Sequence, residues 1–458
     1  MIKFPNRRDF LTGAAALAAA PALGQIPASG EVDVVIVGAG AAGIAAARRI
    51  AAAGRSYALL EAQNRIGGRV FSDRGNFGVL HDRGAHRISA SGRNPLVAFG
   101  RLADLKLYEP APFRRLYVGA REARDSEYDN FTAALHRASR AITAAGEAGL
   151  DVAAARTLPD LADWRATVVF VLGPLLLSKD LDEISTVDFA RAEEQREELV
   201  CRGGLSQLLA AAARPLSISM ETAATRIDTR GRGAVTVETS LGTLRAGAVI
   251  LTASTNALNA GHIRFDQPLP KRTLDALAGL SLGTHDRLIF QLKDNPFGLA
   301  DDQRVIFKTS DARNVALVGR VGGSELGYAE FCGRFGREMS DAGNEAMAAF
   351  VGDLFAAHFG ADSRKLIGKS EAMRWSREPW ILGGVSAASP GSGANRRTLA
   401  EPAHERVYFA GEALHETWFG TVAGAWISGE RTADAVLRLF ERAAAPEAAR
   451  AAPKKRSR

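Results

Sequence analysis

The feature that most constrains this chain is a β-branched run that opens into a glycine loop. Val32-Asp33-Val34-Val35-Ile36-Val37 leads directly into Gly38-Ala39-Gly40-Ala41-Ala42-Gly43. An alanine-rich stretch, Ile44 to Ala53, reads as a helix ending at Gly54, and Tyr57 to Leu60 reads as a second strand closing at Glu61, 18 residues past Gly43. Strand, glycine loop, helix, strand and acid in this order specify a parallel sheet with a nucleotide at the helix N-terminus. Gly38 makes the tight turn, Gly40 lets the backbone approach a pyrophosphate, and Gly43 lets helix and strand pack closely. The helix N-terminus holds the phosphate charge, and Glu61 accepts from ribose hydroxyls. The predicted fold class is α/β, with a Rossmann-type dinucleotide-binding domain.

The chain has 458 residues, enough for two or three domains at about 150 residues each. With 47% hydrophobic and 24% charged residues it reads as a globular protein, and disorder, collagen-like repeats and a disulfide scaffold are excluded. The formal charge is 58 − 51 = +7. Basic residues are interleaved with acidic ones, except in the tail Lys454, Lys455, Arg456 and Arg458, and no aromatic-basic alternation is present. Nucleic acid is therefore not an expected partner. The two cysteines, Cys201 and Cys332, permit one disulfide without requiring it, and no zinc spacing occurs, so no metal is expected.

Residues 1–30 read as an address. Lys3, Arg7 and Arg8 precede a short apolar stretch, Gly13 to Ala20, and Ala22-Leu23-Gly24 suits cleavage. Asn6-Arg7-Arg8-Asp9-Phe10-Leu11 resembles a twin-arginine export signal. That resemblance implies a periplasmic or secreted protein, exported folded around a bound prosthetic group. The apolar run Thr167 to Leu177 is short and broken by Gly173-Pro174, so it reads as core, and no stable membrane span is expected.

The residues after the second strand narrow the nucleotide. Arg65-Ile66-Gly67-Gly68-Arg69 is a second glycine-arginine loop, and Glu61 to Arg69 resembles the FAD fingerprint of the flavin amine oxidase family. The resemblance extends over most of 31–440. It takes in Asp82-Arg83-Gly84-Ala85-His86, Arg202 to Leu208, a three-strand meander from Thr225 to Leu251, and Trp375 to Gly391. Near the C-terminus, Val407 to Glu412 and Gly420 to Ala425 resemble the family's second flavin-binding segment. The resemblance implies noncovalent FAD, since no cysteine stands at Gly383-Gly384-Val385. It implies contacts from Gly38, Gly40, Ala42, Gly43, Glu61, Ala62, Gly68, Arg69, Gly84, Ala85, Ala224, Trp375, Gly411, Glu412, Thr421 and Val422. The helix start at Thr421 and Val422 would place about half a positive charge by the flavin pyrimidine. The implied architecture is a discontinuous FAD domain (31–90, 199–290 and 370–440), an α+β substrate domain (91–198 and 291–369) and a disordered tail (441–458).

For activity, the resemblance implies oxidation of the C–N bond of a primary or secondary amine by hydride transfer to flavin. The imine is then hydrolysed, and O2 or an electron carrier reoxidises the flavin. Arg287 stands where many members carry a lysine that binds a water at the flavin; the alternative is a surface strand residue. Arginine keeps its proton and cannot relay one. Val385 and Thr421 replace the two tyrosines of monoamine oxidases. Trp418, Phe419 and Trp380 are candidates for an aromatic wall, or pack in the core. Arg87 matches the carboxylate clamp of the family's amino-acid oxidases, which makes α-amino acids an alternative substrate class; a structural salt bridge or a phosphate contact is the other reading. A flavin desaturase or porphyrinogen-type oxidase acting on C–C bonds and a non-catalytic FAD-binding protein remain open.

Overall fold

The computed structural model describes residues 29–111, 115–192, 197–231 and 233–444. The twin-arginine segment lies outside them. The first strand, Ser29–Val37, starts two residues ahead of the expected domain start. Val34, Val35 and Ile36 are fully buried, which is why this strand is apolar on both faces. It runs parallel to Tyr57–Leu60 on one side and to Gly242–Leu251 on the other. The long strand Gly242–Leu251 changes neighbours along its length. Its first half closes the meander antiparallel to Val235–Thr239, and its second half runs parallel to Val407–Phe409. The sheet thus draws in strands from three distant parts of the chain.

The chain's two ends also meet through helices. Helix Ala41–Ala52 lies against helix Val422–Ala444. A Cβ on Gly429 would stand 2.1 Å from the Ala42 carbonyl oxygen, so the two backbones touch there. Gly43 is similar: a Cβ would fall 1.8 Å from the Gly38 carbonyl, the close helix–strand approach expected of that residue.

A second, seven-stranded sheet runs in the order Ile367–Met373, His285–Leu292, Leu326–Cys332, Ala316–Gly319, Gln303–Phe307, Arg115–Val118, Arg121–Glu122. All its pairings are antiparallel except Gln303–Phe307 with Arg115–Val118. This corrects two expected domain boundaries. Positions 290 and 370 fall inside strands of the second sheet, because Leu288, Phe290 and Leu292 belong to its core; Phe290 meets Phe355 edge-on at 5.7 Å. The tail boundary also moves, since the last helix continues to Ala444; residues 445–458 lie outside the described set.

The run Thr167 to Leu177 folds into a short helix, Arg165–Phe170, and a wider turn through Pro174, largely buried. No helix among the described residues is long and apolar enough to cross a membrane. Cys201 and Cys332 are free and buried in different core clusters.

Candidate functional site

A long cavity of about 420 Å³ is lined by both sheets and by both ends of the chain. At one end stand Gly38, Gly40, Ala41 and Ala42 from the glycine loop, with Glu61, Ala62, Gly68, Arg69 and Ala224. The Glu61 carboxylate is buried and accepts from the backbone N–H of Ala39 (2.8 Å) and of Gln63 (2.9 Å). Burial pushes its carboxyl pKa up, and those backbone bonds oppose the shift.

The glycines here show that the lining suits a large ligand. A Cβ on Gly40 would meet only the Gly67 carbonyl at 3.9 Å, and one on Gly411 would meet nothing within 4 Å. At Gly40 neither neighbouring protein atoms nor a positive φ require glycine, which leaves the cavity itself as the space kept open there, whereas Gly411 is set by its backbone (φ 150°). A nucleotide diphosphate against a helix N-terminus, with a carboxylate for its ribose, fits this end.

In the middle, Glu412 ties the chain's C-terminal segment to the second glycine loop. Its Oε1 accepts from Arg69 Nη1 (3.0 Å), and its Oε2 accepts from Ser386 Oγ (2.7 Å) and Gly420 N (2.8 Å). Ser386 is held in turn by Arg396, which is fully buried and bidentate to Asp188. Gly84 and Ala85 form the facing wall. A Cβ on Gly84 would lie 1.9 Å from the Arg69 carbonyl and 2.9 Å from the Trp375 ring, so only glycine fits. Trp375 lines the cavity and donates its indole N–H to the Arg83 carbonyl (3.0 Å). Thr421 and Val422 bring the start of the last helix to the cavity, where Thr421 Oγ1 accepts from Gly424 N (2.9 Å).

The far end is ionic, and the second sheet supplies most of it. Glu330 is 1% exposed. Its neighbour across the strands is Arg287, whose Nη2 donates to Glu330 Oε1 at 3.1 Å; His285 Nε2 lies 3.4 Å from the same oxygen. Arg304 Nε faces the other oxygen at 3.6 Å. Burial disfavours the Glu330 charge, but Arg304, His285 and Arg287 overcome it and hold the carboxyl well below its usual range. Arg287 also donates to the Gly84 carbonyl and lies over the Tyr328 ring at 4.9 Å. It is buried in the cavity wall, so the surface-strand alternative falls.

Arg87 lines the same end, but its terminal nitrogens are occupied. Nη1 donates to Glu198 Oε2 (2.7 Å) and Nη2 to the Asp302 carbonyl (2.6 Å). Next to it, buried His86 bridges Asp82 and Asp302 at 2.9 Å each. Burial opposes protonation of this imidazole, yet the two carboxylates raise its pKa.

Three expected contacts are not cavity walls. Gly43 sits behind the loop, packed on Gly38. Trp418 is stacked on His415 and Phe419 is buried beneath Arg396, whose guanidinium lies 3.6 Å from its ring centroid, so neither forms an aromatic wall. Trp380 does line the cavity, but toward the nucleotide end: it is 41% exposed and meets His262 edge-on, while its neighbour Ile381 accepts from Ser254. Residues missed at the far end are His86, Glu198, His285, Arg304 and Glu330. For Glu330 a signal existed, a single acid inside the apolar run Leu326 to Cys332, which demands buried cationic partners.

The family model described as flavin containing amine oxidoreductase matches residues 41–164 and 169–437. The twin-arginine translocation signal model matches residues 5–24. Polyamine oxidase 4 from Oryza sativa subsp. japonica is 26% identical, over 88% of both chains. Lysine-specific histone demethylase 2 from Homo sapiens is 23% identical over 88% of this chain and 53% of its own, so the chain spans about half the length of such relatives. Among solved structures, putrescine oxidase bound to putrescine superposes with a TM-score of 0.76 at 20% identity, over 90% of this chain and 100% of that one. Cyclohexylamine oxidase from Brevibacterium oxydans IH-35A gives 0.75 at 22%, with the same coverage.

Proposed function

The chain belongs to the flavin containing amine oxidoreductase family, and from that premise we propose that it is an exported enzyme that oxidises a C–N bond of a small amine, with FAD held noncovalently. The observation that carries the reading is a single cavity lined by the glycine loop, the Gly411–Glu412 turn, the Thr421 helix start and an ionic chamber. The names of the similar proteins (polyamine, putrescine and cyclohexylamine oxidases) favour an amine over a C–C substrate. The twin-arginine signal supports a periplasmic or secreted location.

Bound FAD would supply the two-electron oxidant. Gly38 to Ala42 would hold its diphosphate, Glu61 its ribose, and Arg69 and Glu412 its central part. Neither cysteine lines the cavity, in keeping with noncovalent binding. The helix start at Thr421 and Val422 directs about half a positive charge into the cavity. Arg287 is fixed by Gly84 and Glu330, so it can donate a hydrogen bond to a water, while a guanidinium cannot relay a proton as an amine can. A substrate amine must react as the free base. Arg287 and Arg304 lower its pKa by like-charge repulsion, and partial burial adds to this.

The test is anaerobic mixing of the purified holoenzyme with a panel of amines and amino acids. Bleaching of the flavin by any of them supports the proposal; bleaching by none, with FAD bound, would leave a C–C oxidase or a non-catalytic flavoprotein. Repeating the reaction in air with peroxide detection, against a dye acceptor, separates oxidase from dehydrogenase.

A further inference from the structure

We propose that Arg304 receives a substrate carboxylate, so that the amine this chain oxidises is that of an amino acid. The inference rests on the amine-oxidising reading above. Three arginines line the ionic end of the cavity. Arg87 is spent on Glu198 and the Asp302 carbonyl, and Arg287 on Gly84, Glu330 and the Tyr328 ring. Arg304 differs. All three have a buried Nε without a hydrogen bond, that of Arg304 facing Glu330 Oε2 at 3.6 Å, but only for Arg304 does no hydrogen bond among the described residues take Nη1 or Nη2. Its side chain is 19% exposed and lines the cavity. Its Nε is buried without an acceptor and its terminal nitrogens take no protein acceptor among the described residues, so an anion in the cavity can complete the guanidinium, and a carboxylate matches the fork bidentately.

The fork is held in place by what precedes it. Asp302 has a strained backbone (φ 56°) and is fully buried. Its carboxylate takes His86 Nε2 (2.9 Å), the Gly322 N–H (2.8 Å) and the Tyr108 hydroxyl. The start of strand Gln303–Phe307, and with it Arg304, is therefore anchored before any ligand arrives. Arg304 and Arg287 face opposite oxygens of the one Glu330 carboxylate. The proposed docking point and Arg287 thus lie on opposite sides of one carboxylate in the same chamber, which suits a substrate with amine and carboxylate on one small skeleton. A diamine would instead bring a second cation toward Arg287 and Arg304.

The experiment uses the wild-type holoenzyme and Arg304→Gln, with matched pairs: phenylalanine and phenethylamine, ornithine and putrescine, leucine and isoamylamine. In anaerobic flavin reduction the wild type should respond to the amino acid of a pair at lower concentration than to its decarboxylated partner. R304Q should cut the advantage of the amino acid over the amine of its pair by about 10- to 100-fold. Benzoate, an unreactive carboxylate, should perturb the bound flavin spectrum of the wild type and not of R304Q. Arg304→Lys keeps the charge without the fork and should fall between. Preference for amines in the wild type, or equal weakening of both members by R304Q, would overturn the role of Arg304 and leave amine oxidation standing. Bleaching by no compound would instead overturn the parent reading, and benzoate would still decide Arg304. The wild-type comparison holds even if the variant does not fold.

Discussion

The cavity has a buried carboxylate at each end, and the two are built differently. Glu61 is met by backbone N–H groups at the C-terminal edge of a parallel sheet, and burial pushes its carboxyl up. Glu330 lies within an antiparallel sheet and is met by Arg287, Arg304 and His285, which hold its carboxyl down despite burial. The first arrangement leaves an acceptor ready for neutral hydroxyls. The second uses one anion to gather cations, and one of them, Arg304, has its fork open. A site made from backbone geometry recognises a cofactor common to many proteins, whereas a site made from side chains on separate strands is free to define a particular substrate.

The largest effect that sharpens this contrast is at Glu330. Glu330→Gln leaves two arginines without their counter-charge and should destabilise the protein by about 3–5 kcal/mol in urea denaturation. Because the folded carboxyl is depressed, its contribution is present above the ordinary value of 4.5 and lost as pH falls through the folded value. The gap between wild type and variant should therefore be steady near neutrality and close only in acid. Glu61→Gln has the opposite sign. Its raised carboxyl disfavours the ionised form on folding, so the flavin-free variant should be no less stable than wild type near neutrality, and any gain should fade in acid. Its flavin affinity should fall by about 10- to 100-fold, the value of a hydrogen bond to a charged group; an unchanged affinity would remove Glu61 from the ribose site.

Two glycines separate packing from ligand space within the first end. Gly43→Ala drives a methyl into the Gly38 carbonyl and should destabilise the flavin-free fold by about 1–3 kcal/mol. Gly40→Ala should leave that fold intact and weaken flavin binding, read by flavin titration. The smallest effect is expected at Trp418. Among the described residues its indole N–H has no partner, and its ring does not face the cavity, so Trp418→Phe should shift stability by about 1 kcal/mol or less. Its substrate KM should match the wild type, and a changed KM would return Trp418 to the substrate wall.

The glycine loops, Glu61, Glu412, the meander and the helix start at Thr421 were legible because each answers to local backbone chemistry: a turn, a close approach or an exposed N-terminus. The ionic chamber was only partly legible. Arg287 could be placed through its motif context; for Arg87 a structural salt bridge was one of the readings, but its partner could not be named, because Glu198 is 111 residues away. Glu330 and Arg304 come from non-adjacent strands of the second sheet, and no motif spans them. The boundary at 290 failed for a related reason: His285–Leu292 reads as a buried strand, and only its pairing with Leu326–Cys332 and Ile367–Met373 shows which sheet it joins. Trp418 and Phe419 misled because a buried aromatic beside a glycine turn has the same sequence signature in a core as in a pocket wall.

The central claim is that the two ends of the chain enclose one flavin nucleotide. The direct measurement is the visible spectrum of the purified exported protein, followed by denaturation and identification of what is released. The account requires a yellow protein that releases FAD, one per chain, into the filtrate. A colourless protein that takes up no FAD on incubation would contradict it, and so would a flavin that stays attached to the denatured chain.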